Sequence, residues 1–443
     1  MSVCASLPLV SGAPLEAPIV RHAGSWITRA EYLAHAEAFA AALPAGRYCL
    51  NLCVDRYHFL VAFAALLIAG RVNLLPHSVA SGAIAELGAE YGAFRIEDDD
   101  VQVVRPGRAV HASPEVPADR EAAVLFTSGS TGRPGAQIKR WGELVGSARA
   151  AIARFGFAAH RHDIVATVPA QHSYGFESSV LYALHSPAVV HAGRPLFPAD
   201  VRAALVEMQA PRVLVTTPLH LDACLRAGLD WPALAFALSA TAPLTREIAV
   251  MAENSFAAPM LEIYGSSETG AIASRRTTSE AAWKPYEGVR VYREGERFRV
   301  AAPFLPEPRA LADRFALGAD GCFEWRGRRE DQVKIAGKRT TLSELNRRLL
   351  AVAGVEDGGF ILPAGKRRRM AAVVVAPTLS PREIRERLAE SLDSVFLPRP
   401  LVMVPELKRT ETGKLARGEL LARLANYTRR PERRSTSTPD TAA

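Results

Sequence analysis

The segment Thr127-Ser128-Gly129-Ser130-Thr131-Gly132-Arg133-Pro134 constrains this chain more than any other. Four hydroxyls and two glycines in its first six residues cannot build a hydrophobic core. The apolar run 122–126 before it reads as a buried strand. The segment is therefore either a solvated turn or a loop whose backbone N–H groups and hydroxyls close around an anion such as phosphate. Glycine serves the second purpose because a Cβ would hold the backbone away from the anion. No Gly-Lys-Ser/Thr ending follows, so it is not a P-loop of the Walker type.

The rest of the chain reads as alternating strands and helices. Helical spacing over 26–43, with Thr28 placed as N-cap, is followed by a strand over 48–54, a buried helix over 59–69 and a strand over 71–75. After the Ser/Gly segment come a helix at 141–154, a strand at 164–168 and a helix at 176–184. Short buried strands follow at 213–217, 234–239 and 261–264. Such alternation predicts parallel sheets covered by helices. The texture changes near residue 285. Positions 289–300 alternate apolar and charged residues, as a half-exposed antiparallel strand does, and 326–338 reads as an exposed, charged hinge. Beyond it, a helix at 342–352, a strand at 371–376 and a helix at 381–392 suggest a small α+β domain. The expected division is a core domain over 1–326, a lid domain over 327–427 and a disordered Arg-, Ser- and Thr-rich tail over 428–443.

Composition narrows the class. Hydrophobic residues make up 49% of the 443 positions and charged residues 23%, as in an ordinary soluble globular protein. The longest apolar run, 59–70, is too short to span a bilayer. Five scattered cysteines and no basic stretch at the N-terminus predict a reduced, cytoplasmic protein with no secretory signal. The net charge of +8 comes partly from Lys366-Arg367-Arg368-Arg369, Arg429-Arg430 and Arg433-Arg434. No stacking aromatics accompany these runs, so nucleic acid is not an expected partner.

Five more segments stand in a set order with the Ser/Gly loop: His172-Ser173-Tyr174-Gly175, Ala240-Thr241-Ala242-Pro243-Leu244, Tyr264-Gly265-Ser266-Ser267-Glu268-Thr269, Gly327-Arg328-Arg329-Glu330-Asp331-Gln332-Val333-Lys334, and Thr410-Glu411-Thr412-Gly413-Lys414. Taken singly, most would pass as packing residues or turns. Together they resemble the adenylate-forming superfamily of acyl- and aryl-CoA synthetases, peptide-synthetase adenylation domains and luciferases, over roughly residues 25 to 420. The implied fold class is α/β: a large N-terminal domain of layered α/β subdomains with mainly parallel sheets, plus a small mobile C-terminal α+β domain.

The resemblance implies an ATP-dependent ligase that joins a carboxylate to the α-phosphate of ATP, releases pyrophosphate and passes the acyl group to a thiol. Both partners of the first step are anions, so the site must supply positive charge. By motif match, Glu268 holds Mg²⁺, Ser267 meets the α-phosphate region, and Thr127, Ser128, Gly129, Ser130, Thr131 and Gly132 wrap the β- and γ-phosphates. Tyr264, beside Gly265, stacks on adenine, while Asp313 and Arg328 hold the ribose. Lys414 bridges carboxylate and α-phosphate, and Glu330 marks the hinge about which the lid turns. His172, Tyr174, Gly175, Ala240, Thr241 and Ala242 line the acyl pocket, with His172 at its wall toward the thiol tunnel.

Three departures stand out against that pattern. The family's Pro-Lys-Gly ending is here Pro134-Gly135-Ala136, so a lysine is missing at Gly135; Lys139 or Arg133 could supply the charge. Thr241 stands where glycine or alanine is common and narrows the acyl pocket. The Ser/Gly loop also comes early, which predicts a compact first subdomain. A compact first half and the missing lysine resemble the ligases of aryl polyene and xanthomonadin pigment clusters. That resemblance implies a hydroxybenzoate-like acid and an acyl carrier protein whose phosphopantetheine thiol accepts the acyl group. The alternatives are an acyl- or aryl-CoA synthetase using free CoA, and a degenerate nucleotide-binding homologue.

Overall fold

In the computed structural model, residues 5–76, 79–107, 110–127, 135–328, 332–335, 338–362, 369–409 and 415–429 are described. The chain divides into two compact units. One comprises Met1–Leu311 with Ala316–Trp325, the other Ala312–Phe315 with Arg326–Ala443.

The larger unit is built on two sheets. Five strands in the order Phe94–Ile96, Tyr48–Asn51, Val72–Leu75, Glu121–Thr127, Gly135–Arg140 form the first. All its neighbours run parallel except the last pair, an antiparallel hairpin. The second has nine strands, with a parallel centre running Met260–Ser266, Phe236–Ser239, Arg212–Thr216, Asp163–Ala166, Val189–His191, Pro18–His22. Antiparallel strands close both of its edges. Strands in such a centre are covered on both faces and read as continuous apolar runs. Val213, Leu214 and Val215 are fully buried in this way.

Helix boundaries follow local chemistry. Thr28 caps the Arg29–Ala42 helix: its hydroxyl accepts the Glu31 N–H, and the Glu31 carboxylate accepts the Thr28 N–H. Such a cap is worth about 1 kcal/mol. Asp55 caps Arg56–Ile68 through the N–H groups of Tyr57 and His58. That helix is buried from Arg56 to Leu67, as a helix apolar on all sides must be. Among the described residues, no helix is long and apolar enough to cross a membrane.

Some expectations need correction. The alternating stretch 289–300 is not one strand but a hairpin, Arg290–Glu294 against Arg297–Ala301, because Gly295 adopts φ +58° and turns the chain. The charged stretch 326–338 is not wholly exposed hinge. Gln332–Ile335 pairs antiparallel with Lys338–Thr341, and Val333 is buried. The strand expected over 48–54 stops at Asn51, and Val54 is exposed.

The smaller unit is α+β. Strand Ala371–Val375 lies between Asp357–Ile361, antiparallel, and Leu401–Met403, parallel. Helices Leu342–Leu350 and Pro381–Ala389 cover one face through Leu345, Leu349, Ile384 and Leu388. The other face packs Val373 and Val402 against Leu420 and Leu424 of the Arg417–Arg429 helix.

Candidate active site

Open parallel sheets bind ligands beyond the carboxyl ends of their strands. In the nine-stranded sheet, the segments after Ala166, Thr216, Ser239 and Tyr264 emerge there. Thr167 Oγ1 lies 3.1 Å from Thr216 Oγ1 and 2.8 Å from His220 Nδ1, which knits two of these ends together.

The Ser/Gly loop is suspended from a hairpin rather than from a strand–helix turn. Thr127 pairs with Gly135 at the open end of the strands Glu121–Thr127 and Gly135–Arg140. Residues 128–134 lie outside the described set, as do the Thr127 side chain, the Arg328 side chain, Glu330 and Lys414. The second strand of the hairpin alternates, so Gly135, Gln137 and Lys139 face inward while Ala136, Ile138 and Arg140 face solvent. Lys139 therefore shares the face of Gly135, about 13 Å further along at roughly 3.4 Å per residue.

Lys139 is 5% exposed, and its Nζ donates to the Glu268 carbonyl at 2.8 Å. It thereby supports the backbone of the Tyr264-to-Thr269 segment. Burial pulls its pKa down, while the charges of Glu143, Glu177 and Glu268 act to raise it. The segment is itself a tight turn. Ser266 N–H and Oγ both engage Thr269 Oγ1, and Thr269 N–H donates to the Ser266 carbonyl. Two glycines permit the turn: a Cβ on Gly265 would stand 2.3 Å from the Gly270 carbonyl, and Gly270 has φ +71°. Ser267 Oγ donates toward Ser173 Oγ at 3.5 Å, joining this segment to the His172 segment. The half-exposed Glu268 carboxylate receives no hydrogen bond from a described residue, which suits an oxygen ligand reserved for a hard cation.

A small cavity between these parts is lined by Lys139, Ser147, Ser173, Glu177, Ser266 and Ser267, among others. Glu177 is the residue that the motif reading passed over. Its carboxylate accepts the Ser147 hydroxyl at 2.8 Å and the Ala271 N–H at 3.1 Å. Burial raises its pKa against the opposing pull of those bonds and of Lys139. A carboxylate amid the apolar stretch 176–184 was the available signal. It sits in a π-helical turn, Phe176–Leu181, a local widening frequent at functional sites.

The His172 segment is held from several sides. His172 caps the short Ser173–Gly175 helix, its Nδ1 accepting the Tyr174 N–H. Gly175 is required by close approach: a Cβ there would come within 2.0 Å of the Pro169 carbonyl. Buried Arg56 donates to Ser179 Oγ at 2.5 Å and to the Val168 carbonyl at 2.9 Å. Gln171 donates to the Cys53 carbonyl. Tyr174 is 8% exposed, and burial drives its phenol pKa upward, so its ring is a packing element beneath the strand ends.

At the neighbouring strand end, Ala240 is buried and Thr241 adopts φ +79°. A β-branched residue in that region is strained, which supplies a physical reason for glycine to be common there. Ala242 follows, half-buried. Tyr264 lies edge-on to Phe323 and tilted against Trp283, with ring centroids 5.6 and 5.5 Å away. Asp313 opens the strand Asp313–Leu317 in a half-buried position.

Fold and loop cluster together define an α/β protein with a candidate ligand site at the carboxyl ends of a parallel sheet. The family model described as AMP-binding enzyme matches residues 81–294, which contain most of that cluster. Over that stretch, just under half of the chain, it is similar to the AMP-binding enzymes. It is 27% identical over 372 residues to an isonitrile lipopeptide synthase of Streptomyces coeruleorubidus, an alignment covering 68% of this chain and 23% of that protein. The chain thus spans less than a quarter of that relative's length. Its fold matches O-succinylbenzoate coenzyme A synthetase of Bacillus subtilis in complex with AMP, with a TM-score of 0.78, 17% identity and coverage of 94% and 98% of the two chains. It also matches a benzoate CoA ligase of Burkholderia xenovorans, with a TM-score of 0.72, 19% identity and coverage of 91% and 96%.

Proposed function

We propose that this protein is an ATP-dependent acid–thiol ligase. An oxygen of the acid's carboxylate attacks the α-phosphorus of ATP, the bond to pyrophosphate breaks, and the acyl group then passes from AMP to a thiol. The observation that carries the reading is the Lys139–Glu268 bond. A buried cation fixes the backbone of a turn that presents a half-exposed carboxylate beside two serines at the sheet's candidate ligand end. That arrangement suits Mg²⁺ on Glu268, and the Bacillus subtilis synthetase has been solved with ATP and magnesium ion. When bound, Mg²⁺ would neutralise phosphate charge.

The acid we assign is aromatic and hydroxybenzoate-like. Support comes from Thr241, bulkier than the glycine or alanine common at that position, and from the aromatic acids in the names of two structural neighbours. The acceptor we assign is the phosphopantetheine of an acyl carrier protein. The net charge of +8 suits an acidic partner. Free CoA is the second reading, favoured by the CoA ligases among the neighbours. Lys414 is assigned to bridge carboxylate and α-phosphate, Glu330 to the hinge, Asp313 and Arg328 to ribose and Tyr264 to adenine. The Ser/Gly loop takes the outer phosphates.

Carboxylate-dependent pyrophosphate–ATP exchange tests the reading. A panel of hydroxybenzoates should support exchange, and its complete absence across aromatic and aliphatic acids would sink the ligase assignment. Lys414→Ala should abolish exchange yet spare thiolation from preformed acyl-adenylate. Side-by-side assays with a holo carrier protein and with CoA then choose the acceptor.

A further inference from the structure

Two segments distant in sequence bring together His22, Asp55 and His58. His22 ends the strand Pro18–His22. Asp55 is the N-cap of the Arg56–Ile68 helix, and His58 lies in that helix's first turn. One donor atom from each side chain lies within 4.8 Å of the other two, and His22 Nε2 stands 3.8 Å from Asp55 Oδ2. A tetrahedral zinc ion with donors at about 2.0–2.1 Å holds them roughly 3.4 Å apart, so small side-chain rotations suffice.

The surroundings are built for this use. Asp55 spends one oxygen, Oδ1, on the helix, accepting the Tyr57 and His58 N–H groups at 2.8 and 3.2 Å. That fixes the carboxylate and leaves Oδ2 turned to His22. His58 Nδ1 lies 3.1 Å from Asp98 Oδ1. Donation of that N–H to Asp98 leaves the imidazole lone pair on Nε2, the carboxylate–histidine arrangement that orients metal-binding imidazoles. Asp98 is in turn anchored by the N–H groups of Val54 and Asp55, both at 3.1 Å. The Tyr57 ring backs His22 at 4.8 Å between centroids.

We infer that His22, Asp55 and His58 form a zinc site, with Asp98 as the positioning residue for His58. Two imidazoles and one carboxylate suit a borderline ion such as Zn²⁺ rather than Mg²⁺ or Ca²⁺, which prefer all-oxygen sets. Three protein donors leave the fourth position to water. The ion would tie the Pro18–His22 strand to the Arg56–Ile68 helix, a role in stability.

The test is a titration of the full chain with Zn²⁺ after chelator treatment and dialysis, followed by calorimetry and by thermal melting. One equivalent should bind, raise Tm and resist competition by millimolar Mg²⁺. Asp55→Asn keeps a helix cap and His22→Gln sits at a strand end, so both variants should fold; each should weaken Zn²⁺ at least tenfold. Asp98→Asn should weaken it by about 10- to 100-fold. Cobalt substitution of the unaltered chain should give d–d absorption without a thiolate charge-transfer band. Absence of saturable binding would overturn the site. So would affinity unchanged in His22→Gln and Asp55→Asn, or a thiolate band reporting capture by cysteine.

Discussion

Lys139 Nζ donates to the Glu268 carbonyl at 2.8 Å across 129 residues of sequence. This bond joins the hairpin that carries the Ser/Gly loop to the turn that carries the assigned Mg²⁺ ligand. It also brings a cation beside Glu177 and Glu143, whose charges act to raise the lysine's pKa. Lys139 stands four residues along the strand from Gly135 and engages the Glu268 carbonyl.

Lys139→Met keeps the stem volume and removes the donor. A lost charged hydrogen bond is worth about 1.5–3 kcal/mol. We expect pyrophosphate–ATP exchange to fall at least tenfold in kcat/KM, with a raised requirement for Mg²⁺. Tm should move little, because removing a buried charge offsets the lost bond. Exchange kinetics at varied Mg²⁺ with an accompanying melt check this, and unchanged Mg²⁺ dependence would remove Lys139 from the site.

Glu177 gives a pH signature. Its pKa is raised by burial in the folded chain, so the unfolded chain releases the proton first. The stability attached to its protonated form is present in full below its ordinary value of 4.5 and is lost as pH rises through the higher folded value. Glu177→Gln stays neutral and can still accept from Ser147 and Ala271. The difference in Tm between variant and parent should therefore grow in the variant's favour from about pH 4 toward neutrality. Melts across that range decide it; a constant difference would mean that Glu177 titrates normally.

Thr241 holds φ +79° against the preference of a β-branched residue. Strain of this kind costs of order 1–3 kcal/mol, and glycine gives back part of the gain through unfolded-state entropy. Thr241→Gly should raise stability by up to about 1 kcal/mol. If Thr241 narrows the acyl pocket, the same change should broaden acid selectivity in the exchange assay. Thermal melting and an acid panel separate the two effects.

Gly175→Ala would set a methyl group 2.0 Å from the Pro169 carbonyl. The backbone must shift, a cost of at least about 1–3 kcal/mol. It should lower Tm and, by displacing the His172 segment, reduce exchange more than Gly228→Ala. Gly228, unlike Gly175, has a positive φ, and a Cβ there meets nothing within 4 Å. Equal effects in the two variants would show that His172 placement is unimportant.

Much of the fold was legible because its signals are local. The Thr28 and Glu31 side chains announce the start of the first helix, and unbroken apolar runs announce Arg56–Ile68 and the central strands. The hairpin at 290–301 was not read, because an alternating pattern continues across a tight turn and only Gly295 interrupts it. The motif order located the candidate site at His172, Thr241 and Glu268, each of which follows a strand or precedes a helix. Glu177 escaped because nothing in an apolar helical stretch says that its lone carboxylate faces Ser147 and a strand N–H.

What the sequence determined by itself was the order of elements and the chemical types present in each loop, since propensity, capping and periodicity act over a few residues. Only the tertiary structure decided which of those residues meet. Lys139 and Glu268 lie 129 residues apart, and His22 and Asp98 lie at the ends of different elements. Their proximity is set by how strands pair and helices dock, a choice made by burial of apolar surface over the whole unit and recorded at no single position.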